Sequence, residues 1–377
     1  MKYSYYLLAL VVLLFLQPAA DAQQVQIRSG EVTSNNDQST FNLDHISFQL
    51  SGNQISLSND NSTINLLRSG LFGVSDSNRY LAAFQGEGIP RATVVDGRGN
   101  KIKDSELDYF DSSDETLKIR IFDDGRFITR DNVANFSFFD ANGRMIYSVS
   151  NTSGSEDGEL QSELSSDPSG NTILLYNPEI VYQNQRGSRA RFVHGENDLT
   201  ELYSSRNRTI SHSNVTGNGS FASIVTTSGD GNDDVWVYDR FGNELAHLET
   251  DMELRGAQLS ENAGHLTIYS SNRAQAYRLS DMERQGSASF NAGLIYAFYS
   301  AEDNQILAIS GQVNPQNNHI SDAQFHSVHL TERSIAREDI TYPLSYLDIE
   351  QVRIKRSGTN QFHVKGLNRE LIVETVF

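Results

Sequence analysis

The sequence has 377 residues, a formal charge of −18 at pH 7 and no cysteine. Hydrophobic residues make up 38% of the chain, enough for a sizeable core, which excludes wholesale disorder. So acidic a protein repels phosphate backbones, and we expect no nucleic-acid partner. The lack of cysteine excludes disulfide bonds, thiolate metal sites and a cysteine nucleophile.

The first predicted element is a secretory signal peptide over Met1–Ala22. Lys2 precedes an unbroken apolar run, Leu7–Leu16, and Pro18 and small residues follow it. The alternative is an uncleaved membrane anchor, but the run is only half as long as the about 20 residues that cross a bilayer. We therefore predict cleavage near Ala22, a secreted or periplasmic mature chain, and no stable membrane insertion.

After the signal peptide, a turn cluster followed by a short apolar strand recurs along the chain. Its glycine or asparagine falls at positions 78, 125, 170, 219, 264 and 304, at intervals of 40 to 49 residues. The copies are Ser75–Asn78, Asp123–Gly125, Asp167–Gly170, Thr216–Gly219, Glu261–Gly264 and Glu302–Asn304, with a weaker one at Gly358. Glycine and asparagine suit a tight hairpin because they tolerate a positive φ.

A second turn recurs later in the repeat, where an apolar strand ends in an acidic Asp-x-x-Gly segment. Asp96–Asn100, Asp140–Gly143 and Asp239–Asn243 are the clear copies, the last after Val235–Tyr238. One repeat therefore reads as four antiparallel strands within 40 to 50 residues. That size and strand number are typical of one blade of a β-propeller.

Two stretches carry a family resemblance. Ser166–Gly170 and Trp236–Gly242 resemble the "SPDG" and "vyD-x-x-G" signatures of WD40-like and TolB-like propellers. The resemblance covers most of residues 70–365, but no repeat has the Gly-His and Trp-Asp pairs of WD40 repeats, so no subfamily is assigned. It implies an all-β propeller in which the loops at the two ends of the central channel form the ligand surface.

Seven turn positions predict seven four-stranded blades, with six or eight as alternatives. We expect residues 23–377 to form a single propeller domain whose ring closes when an N-terminal strand joins the last blade. Val25–Ile27 and His45–Leu57 are the two stretches that fit this role. The competing architecture has two domains, with a small sandwich at residues 23–68.

The densest carboxylate cluster is a candidate calcium loop. Asp230, Asn232 and Asp234 occupy alternate positions, as oxygen ligands of calcium often do. The EF-hand pattern then fails, because Val235 replaces its glycine and Phe241 stands where its glutamate is expected. The competing interpretation is a polar hairpin loop. Calcium is the one cofactor that the sequence suggests, and none is firmly predicted.

Three histidines, His319, His326 and His329, lie close together in the sequence. A spacing of three places the last two on opposite faces of a strand, which disfavours a shared metal ion. The sequence also contains no recognisable catalytic motif. We therefore expect an exported, non-catalytic binding or scaffold module for a protein or glycan partner. The alternative is a propeller enzyme, such as a calcium-assisted lactonase, esterase or glycan-cleaving enzyme, with its site at the channel mouth.

Overall fold

A computed structural model shows that the protein is built from β-strands and turns. The structure describes residues 25–29, 40–59, 62–68, 70–86, 90–107, 113–152, 161–182, 185–291, 293–314, 319–331, 334–340, 344–345, 352–367 and 371–375. Every regular element in these ranges is a strand, and they contain no helix. The predicted signal peptide, Met1–Ala22, lies outside the described residues.

The strands form eight antiparallel sheets, numbered here as blades 1 to 8, each running from an innermost strand A to an outermost strand D. Strand β1 (Val25–Ser29) belongs to blade 8. Blade 1 contains β2 (Thr40–Asn42), β3 (Ser47–Ser51), β4 (Gln54–Leu57) and β5 (Thr63–Asn65), and blade 2 contains β6 (Phe72–Val74), β7 (Tyr80–Gln85), β8 (Arg91–Asp96) and β9 (Lys101–Glu106). Blade 3 contains β10 (Lys118–Ile121), β11 (Phe127–Asp131), β12 (Asn135–Phe139) and β13 (Met145–Ser150). Blade 4 contains β14 (Glu163–Ser166), β15 (Ile173–Tyr182), β16 (Gln185–Gly195) and β17 (Asp198–Ser205).

The second half of the chain repeats this plan. Blade 5 contains β18 (Thr209–Val215), β19 (Phe221–Thr227), β20 (Asp233–Asp239) and β21 (Glu244–Thr250), and blade 6 contains β22 (Gly256–Leu259), β23 (His265–Tyr269), β24 (Arg273–Arg278) and β25 (Glu283–Ser289). Blade 7 contains β26 (Leu294–Ser300), β27 (Gln305–Asn314), β28 (His319–His329) and β29 (Ser334–Asp339), and a fifth strand, β30 (Leu344–Ser345), pairs with β28. Blade 8 contains β31 (Arg353–Gly358), β32 (Gln361–Lys365) and β33 (Leu371–Thr375), with β1 as its strand D. The AB turns of all eight blades and the CD turns of blades 1 to 7 share one face of the ring, and the BC turns and the DA connections share the other.

The last blade combines strands from both ends of the sequence. Strand β1 pairs antiparallel with β33, from Val25 opposite Thr375 to Ser29 opposite Leu371. The other stretch considered for this role, His45–Leu57, lies in blade 1. Residues 40–65 thus form a propeller sheet that packs on blade 2, and the described residues form eight sheets where the turn cadence favoured seven.

Backbone geometry explains why the cadence missed blade 1. In blades 2 to 8 the AB turn contains a residue with positive φ, and these are Asn78, Gly125, Gly170, Gly219, Ala263, Asn304 and Asn360. The turn position expected from the sequence is therefore one residue too late in blade 6, at Gly264 instead of Ala263, and two residues too early in blade 8, at Gly358 instead of Asn360. In blade 1 the turn at residues 43–46 has no such residue, so it carries no glycine or asparagine signal.

The hydrophobic core is divided among the blade interfaces. Seven clusters of buried apolar side chains lie between consecutive blades, from blades 1 and 2 round to blades 7 and 8. Strands B and C are buried on both faces, as at Val225, Val235 and Val237 of blade 5. Strand D is mostly polar, which explains why apolar runs mark B and C most clearly in the sequence.

Polar groups of the AB turns connect neighbouring blades. The Ser77 N–H donates to Asp123 Oδ1 at 2.7 Å, and Thr172 Oγ1 donates to the Gly219 carbonyl at 2.7 Å. Farther round the ring, the Asn218 N–H donates to Glu261 Oε2 at 2.8 Å. The acidic and hydroxyl residues that mark the repeat in the sequence thus hold adjacent blades together.

The Asp-x-x-Gly turns have a local structural cause. Asp239 Oδ1 accepts hydrogen bonds of 2.9 Å from the backbone N–H groups of Phe241 and Asn243, and Asp96 does the same for Arg98 and Asn100. Burial acts in the opposite direction, but these hydrogen bonds lower the pKa of both carboxyl groups. The aspartates of these turns therefore stabilise the CD hairpins.

Candidate functional site

The innermost strands carry a positive charge excess. They contain the basic residues Lys118, Arg120, Arg353, Lys355 and Arg356 but only one carboxylate, that of Glu163. Lys118 and Arg120 alternate on β10, and Arg353 and Lys355 alternate on β31, so the members of each pair share a face of their strand. The centre of this acidic protein is therefore cationic.

A cavity of about 170 Å³ opens among these strands. Its walls come from blades 2, 3 and 4 and include Arg353 of blade 8, so it belongs to the central channel. Four basic side chains line it, Lys118, Arg120, Arg130 and Arg353, with Glu163 as the one carboxylate among the described lining residues. We call it the channel cavity.

One side of the channel cavity is a satisfied ion-pair network. Arg130 donates to Glu163 Oε1 at 2.9 Å, to the Ser162 carbonyl at 2.6 Å and to the Thr116 carbonyl at 3.0 Å. Lys118 Nζ lies 2.8 Å from Glu163 Oε2. Burial would raise the pKa of Glu163, but the charges of Lys118 and Arg130 outweigh it and lower the pKa.

The other side of the channel cavity is less well satisfied. Arg120 is mostly buried, and its single partner among the described residues is Asp76, at 3.3 Å. Arg120 Nε and Ser166 Oγ are buried without a hydrogen-bond partner in the described part of the chain. Both residues line the channel cavity.

Arg353 influences several titratable groups around the channel. Burial lowers the pKa of His212 to about 4, and the charge of Arg353 acts in the same direction. Burial raises the pKa of Tyr296 to about 12, against the opposing effect of Arg353. His212 is therefore neutral at pH 7 and adds no charge to the channel.

Two long hairpins distinguish the face that carries the BC turns. Strands β15 and β16 have 10 and 11 residues, as do β27 and β28, whereas the B and C strands of the other blades have four to seven. Both pairs extend past strand A toward the BC turn, by six residues in blade 4 (Asn177–Tyr182) and by four residues, or about 13 Å, in blade 7 (Gly311–Asn314). We call this side of the ring the hairpin face.

Each long hairpin is braced at its base. In blade 4 the register shifts between Asn177 and Ile180, and Asn177 is buried among hydrogen bonds with Asn151 and Arg189. In blade 7 the register shifts beside Gly311, where a Cβ would lie only 2.7 Å from Ile320 Cγ2. Bulges of this kind redirect a hairpin without ending its pairing.

Asp230 and Asn232 of the candidate calcium loop lie on the BC turn of blade 5, and Asp234 is the second residue of strand β20. Asp230 is exposed and accepts hydrogen bonds from Ser228 Oγ and the Asn232 N–H. Asp234 lies 3.2 Å from Arg208 Nη2, which also donates to the Asn232 carbonyl at 3.0 Å. A calcium ion bound here would compete with the Arg208 guanidinium for these oxygens. The hypothesis stays a prediction.

The histidine group lies on one strand, β28. His326 is buried, its Nε2 lies 2.7 Å from Ser310 Oγ, and burial lowers its pKa to about 4. His319 and His329 are only partly buried. In the part of the chain that the structure describes, no group of three or more His, Asp or Glu side chains is arranged to hold a metal ion.

The cationic channel was missed at the sequence level, although a signal for it exists. In both β10 and β31, basic residues alternate directly before an AB turn, in a chain that is otherwise acidic.

Trp236 stacks on the ring of His247, with 3.7 Å between the ring centres, and is partly buried. These contacts are those of a packing residue, as its position on a strand suggests.

Eight antiparallel sheets that pack face to face in chain order define a β-propeller, and the all-β propeller expectation is confirmed. The sequence matches no protein-family model and no curated protein sequence. The fold is similar to that of BamB from Moraxella catarrhalis, with a TM-score of 0.52 and 13% identity over 93% of this chain and 100% of BamB.

Two further solved structures are more distant. The Cps50 (Swd1) β-propeller domain of Myceliophteria thermophila has a TM-score of 0.46 and 11% identity over 89% of this chain and 99% of that domain. A eukaryotic initiation factor has a TM-score of 0.45 and 11% identity over 84% of this chain and 91% of its own. The likeness to BamB, at 13% identity, shows the fold alone. Among the described residues, no helix is long and apolar enough to cross a membrane.

Proposed function

We propose that the protein is a non-catalytic binding module that docks a protein partner on its hairpin face. The observation that carries the proposal is the pair of braced hairpins, which extend at least about 13 Å beyond strand A on the same side of the ring. Propellers commonly present their ligands with loops at the ends of the channel, and rigidly held projections cost less entropy to order on binding.

The hairpin of blade 4 offers two kinds of contact. Val181, near its tip, is an exposed apolar side chain, and the Arg186–Glu179 ion pair of 3.4 Å lies beside it. Within the described residues, β15 beyond Asn177 pairs only with β16, so its other edge has backbone groups outside any ladder. An extended segment of a partner would add to such an edge.

A capture experiment tests the docking proposal. The tagged mature chain is compared with Val181→Asp, which places a charge near the hairpin tip, using an extract of the source cells. Phe241→Asp is the matched control, because Phe241 is also exposed and apolar but lies on a CD turn at the opposite face. A protein retained by the wild type and by the control but lost with Val181→Asp supports the proposal.

Equal retention by all three proteins contradicts docking on the hairpin face. Specific binding to a glycan array without capture of a protein favours the glycan alternative and also refutes the proposal. The propeller-enzyme alternative stays a prediction, and the calcium experiment in the Discussion tests only whether the candidate loop binds calcium.

We also propose that the mature chain acts outside the cytoplasm, after cleavage near Ala22. The support is the sequence pattern of Met1–Ala22. Mass spectrometry of the protein recovered from its source cells should give Gln23 as the first residue. A protein that retains the apolar run Leu7–Leu16 contradicts this expectation.

A further inference from the structure

The channel cavity has a charge that contrasts with the rest of the molecule. The whole chain has a formal charge of −18, yet four basic side chains and one carboxylate line this cavity. Asp76, behind Arg120, compensates one more cation and still leaves a positive excess. Because cations held away from water are costly without a counter-charge, such a cavity favours an anion.

Two arginines of the channel cavity differ in how far their donors are used. Arg130 is fixed by bonds to two backbone carbonyls and to Glu163. Arg120 has one bond of 3.3 Å, to Asp76, among the described residues. A guanidinium has five N–H donors in a planar fork that suits carboxylate and phosphate groups. Arg120 therefore retains most of its donor capacity beside the cavity, whereas Arg130 already makes four hydrogen bonds with its neighbours.

Ser166 is the second underused group of this wall. It lies on β14, next to β10 of the neighbouring blade, and its Oγ is buried without a partner in the described part of the chain. Buried hydroxyl groups in folded proteins almost always have a hydrogen-bond partner, so an exception calls for a ligand, an ion or a water. Arg120 Nε, in the same wall, is also buried without a hydrogen-bond partner among the described residues.

We propose that the channel cavity is a binding site for a small oxyanion, a carboxylate or phosphate group, held by Arg120, Ser166 and Arg353. The cavity volume of about 170 Å³ accommodates such a group together with waters, since one water takes up about 30 Å³ in the liquid. The site is separate from the hairpin tips, so this inference does not depend on the proposed docking function.

Calorimetric titration of the mature chain tests the anion site. The probes are inorganic phosphate and succinate, each at an ionic strength held constant with sodium chloride so that general screening does not change. We expect one anion to bind per chain, with phosphate alone, succinate alone or both as supporting results. No binding of either anion up to about 10 mM overturns the proposal.

Two variants assign the site to its residues. Arg120→Gln should lower the affinity at least tenfold, because a charge-assisted hydrogen bond is lost. Arg126→Gln is the matched control, since Arg126 belongs to the same blade but pairs with Asp124 at the surface, and its affinity should stay unchanged. Equal affinity of Arg120→Gln and the wild type refutes the assignment.

Ser166→Ala keeps the test decisive if Arg120→Gln does not fold. The lost hydroxyl has no partner in the described residues, so the variant should retain the stability of the wild type while binding the anion several-fold more weakly. A Ser166→Ala protein that unfolds more easily but binds the anion normally would show that the hydroxyl has a structural role, and would overturn its place in the site.

Discussion

A buried glutamine at the junction of blades 7 and 8 gives the sharpest stability prediction. Gln305 is fully buried, and its Oε1 accepts hydrogen bonds from Ser327 Oγ at 2.8 Å and from Thr375 Oγ1 at 3.1 Å. Its Nε2 donates to Asn360 Oδ1 at 2.8 Å. One side chain therefore connects strands β27, β28 and β33 with the AB turn of blade 8.

Gln305→Leu preserves most of the volume but leaves two buried hydroxyl groups, those of Ser327 and Thr375, without this acceptor. Each unsatisfied buried group costs about 1–3 kcal/mol, while the partly accessible Asn360 amide regains hydration. Thr375 Oγ1 also lies 3.4 Å from the Asn360 carbonyl, which reduces its loss. We expect a decrease of about 2–4 kcal/mol in the free energy of unfolding.

Urea unfolding followed by circular dichroism and by the fluorescence of Trp236 measures this change. Gln54→Leu is the matched control, because the Gln54 side chain is exposed and its one hydrogen bond among the described residues is to Asn65 at 3.2 Å; its effect should stay within about 0.5 kcal/mol. If Gln305→Leu is no more destabilising than Gln54→Leu, the hydrogen-bond network does not stabilise the junction and the reasoning is wrong.

Three further predictions concern pH, a turn and calcium. The folded-state pKa of His326, about 4, lies below its ordinary value of 6.5, so the free energy of unfolding should fall as the pH drops from 6.5 toward 4. His326→Gln should make this pH dependence less steep, and an unchanged slope would contradict the prediction. Gly170→Ala should destabilise the protein more than Gly229→Ala. Both glycines have a positive φ, but a Cβ at Gly170 would lie 2.6 Å from the Phe122 ring, whereas one at Gly229 would meet no atom within 4 Å. Equal urea midpoints of the two variants would contradict this prediction. If Asp230, Asn232 and Asp234 bind calcium, the thermal midpoint should rise with calcium, fall back with EGTA and stop responding in Asp234→Asn; an unresponsive wild type removes the hypothesis.

The sequence predicted those parts of the fold that have a local cause. Turns with positive φ, such as that at Gly170, and aspartates that bind their own turn, such as Asp239, depend on a few adjacent residues. The AB turn of blade 1 lacks that local requirement, so the blade was not counted. The long hairpins were hidden for a related reason, because Pro178 and Gly311 suggest strand ends, whereas bulges accommodate both.

The channel cavity was beyond local pattern reading. Whether Arg120 faces Asp76 of the preceding blade, and whether Arg353 of blade 8 reaches the same cavity as β10, depends on how separate blades pack. The candidate calcium loop shows the opposite case, since its acidic composition is plain but Arg208, a neighbour of Asp234, comes from before strand A of the same blade. Composition identified charged residues, and only their arrangement shows which ones already neutralise each other.

The pairing of β1 with β33 has a consequence for the order of folding. Ser29 lies opposite Leu371, so the segment that leaves the ribosome early must wait for one made more than 300 residues later. Until the two strands pair, blade 8 lacks its outermost strand, and once β33 has been made its edge is open to pairing with another chain. Contacts of such long range form slowly. A protein that captures β1 or shields β33 during this interval would decide whether the chain ends as a monomer or exchanges this strand with a second copy.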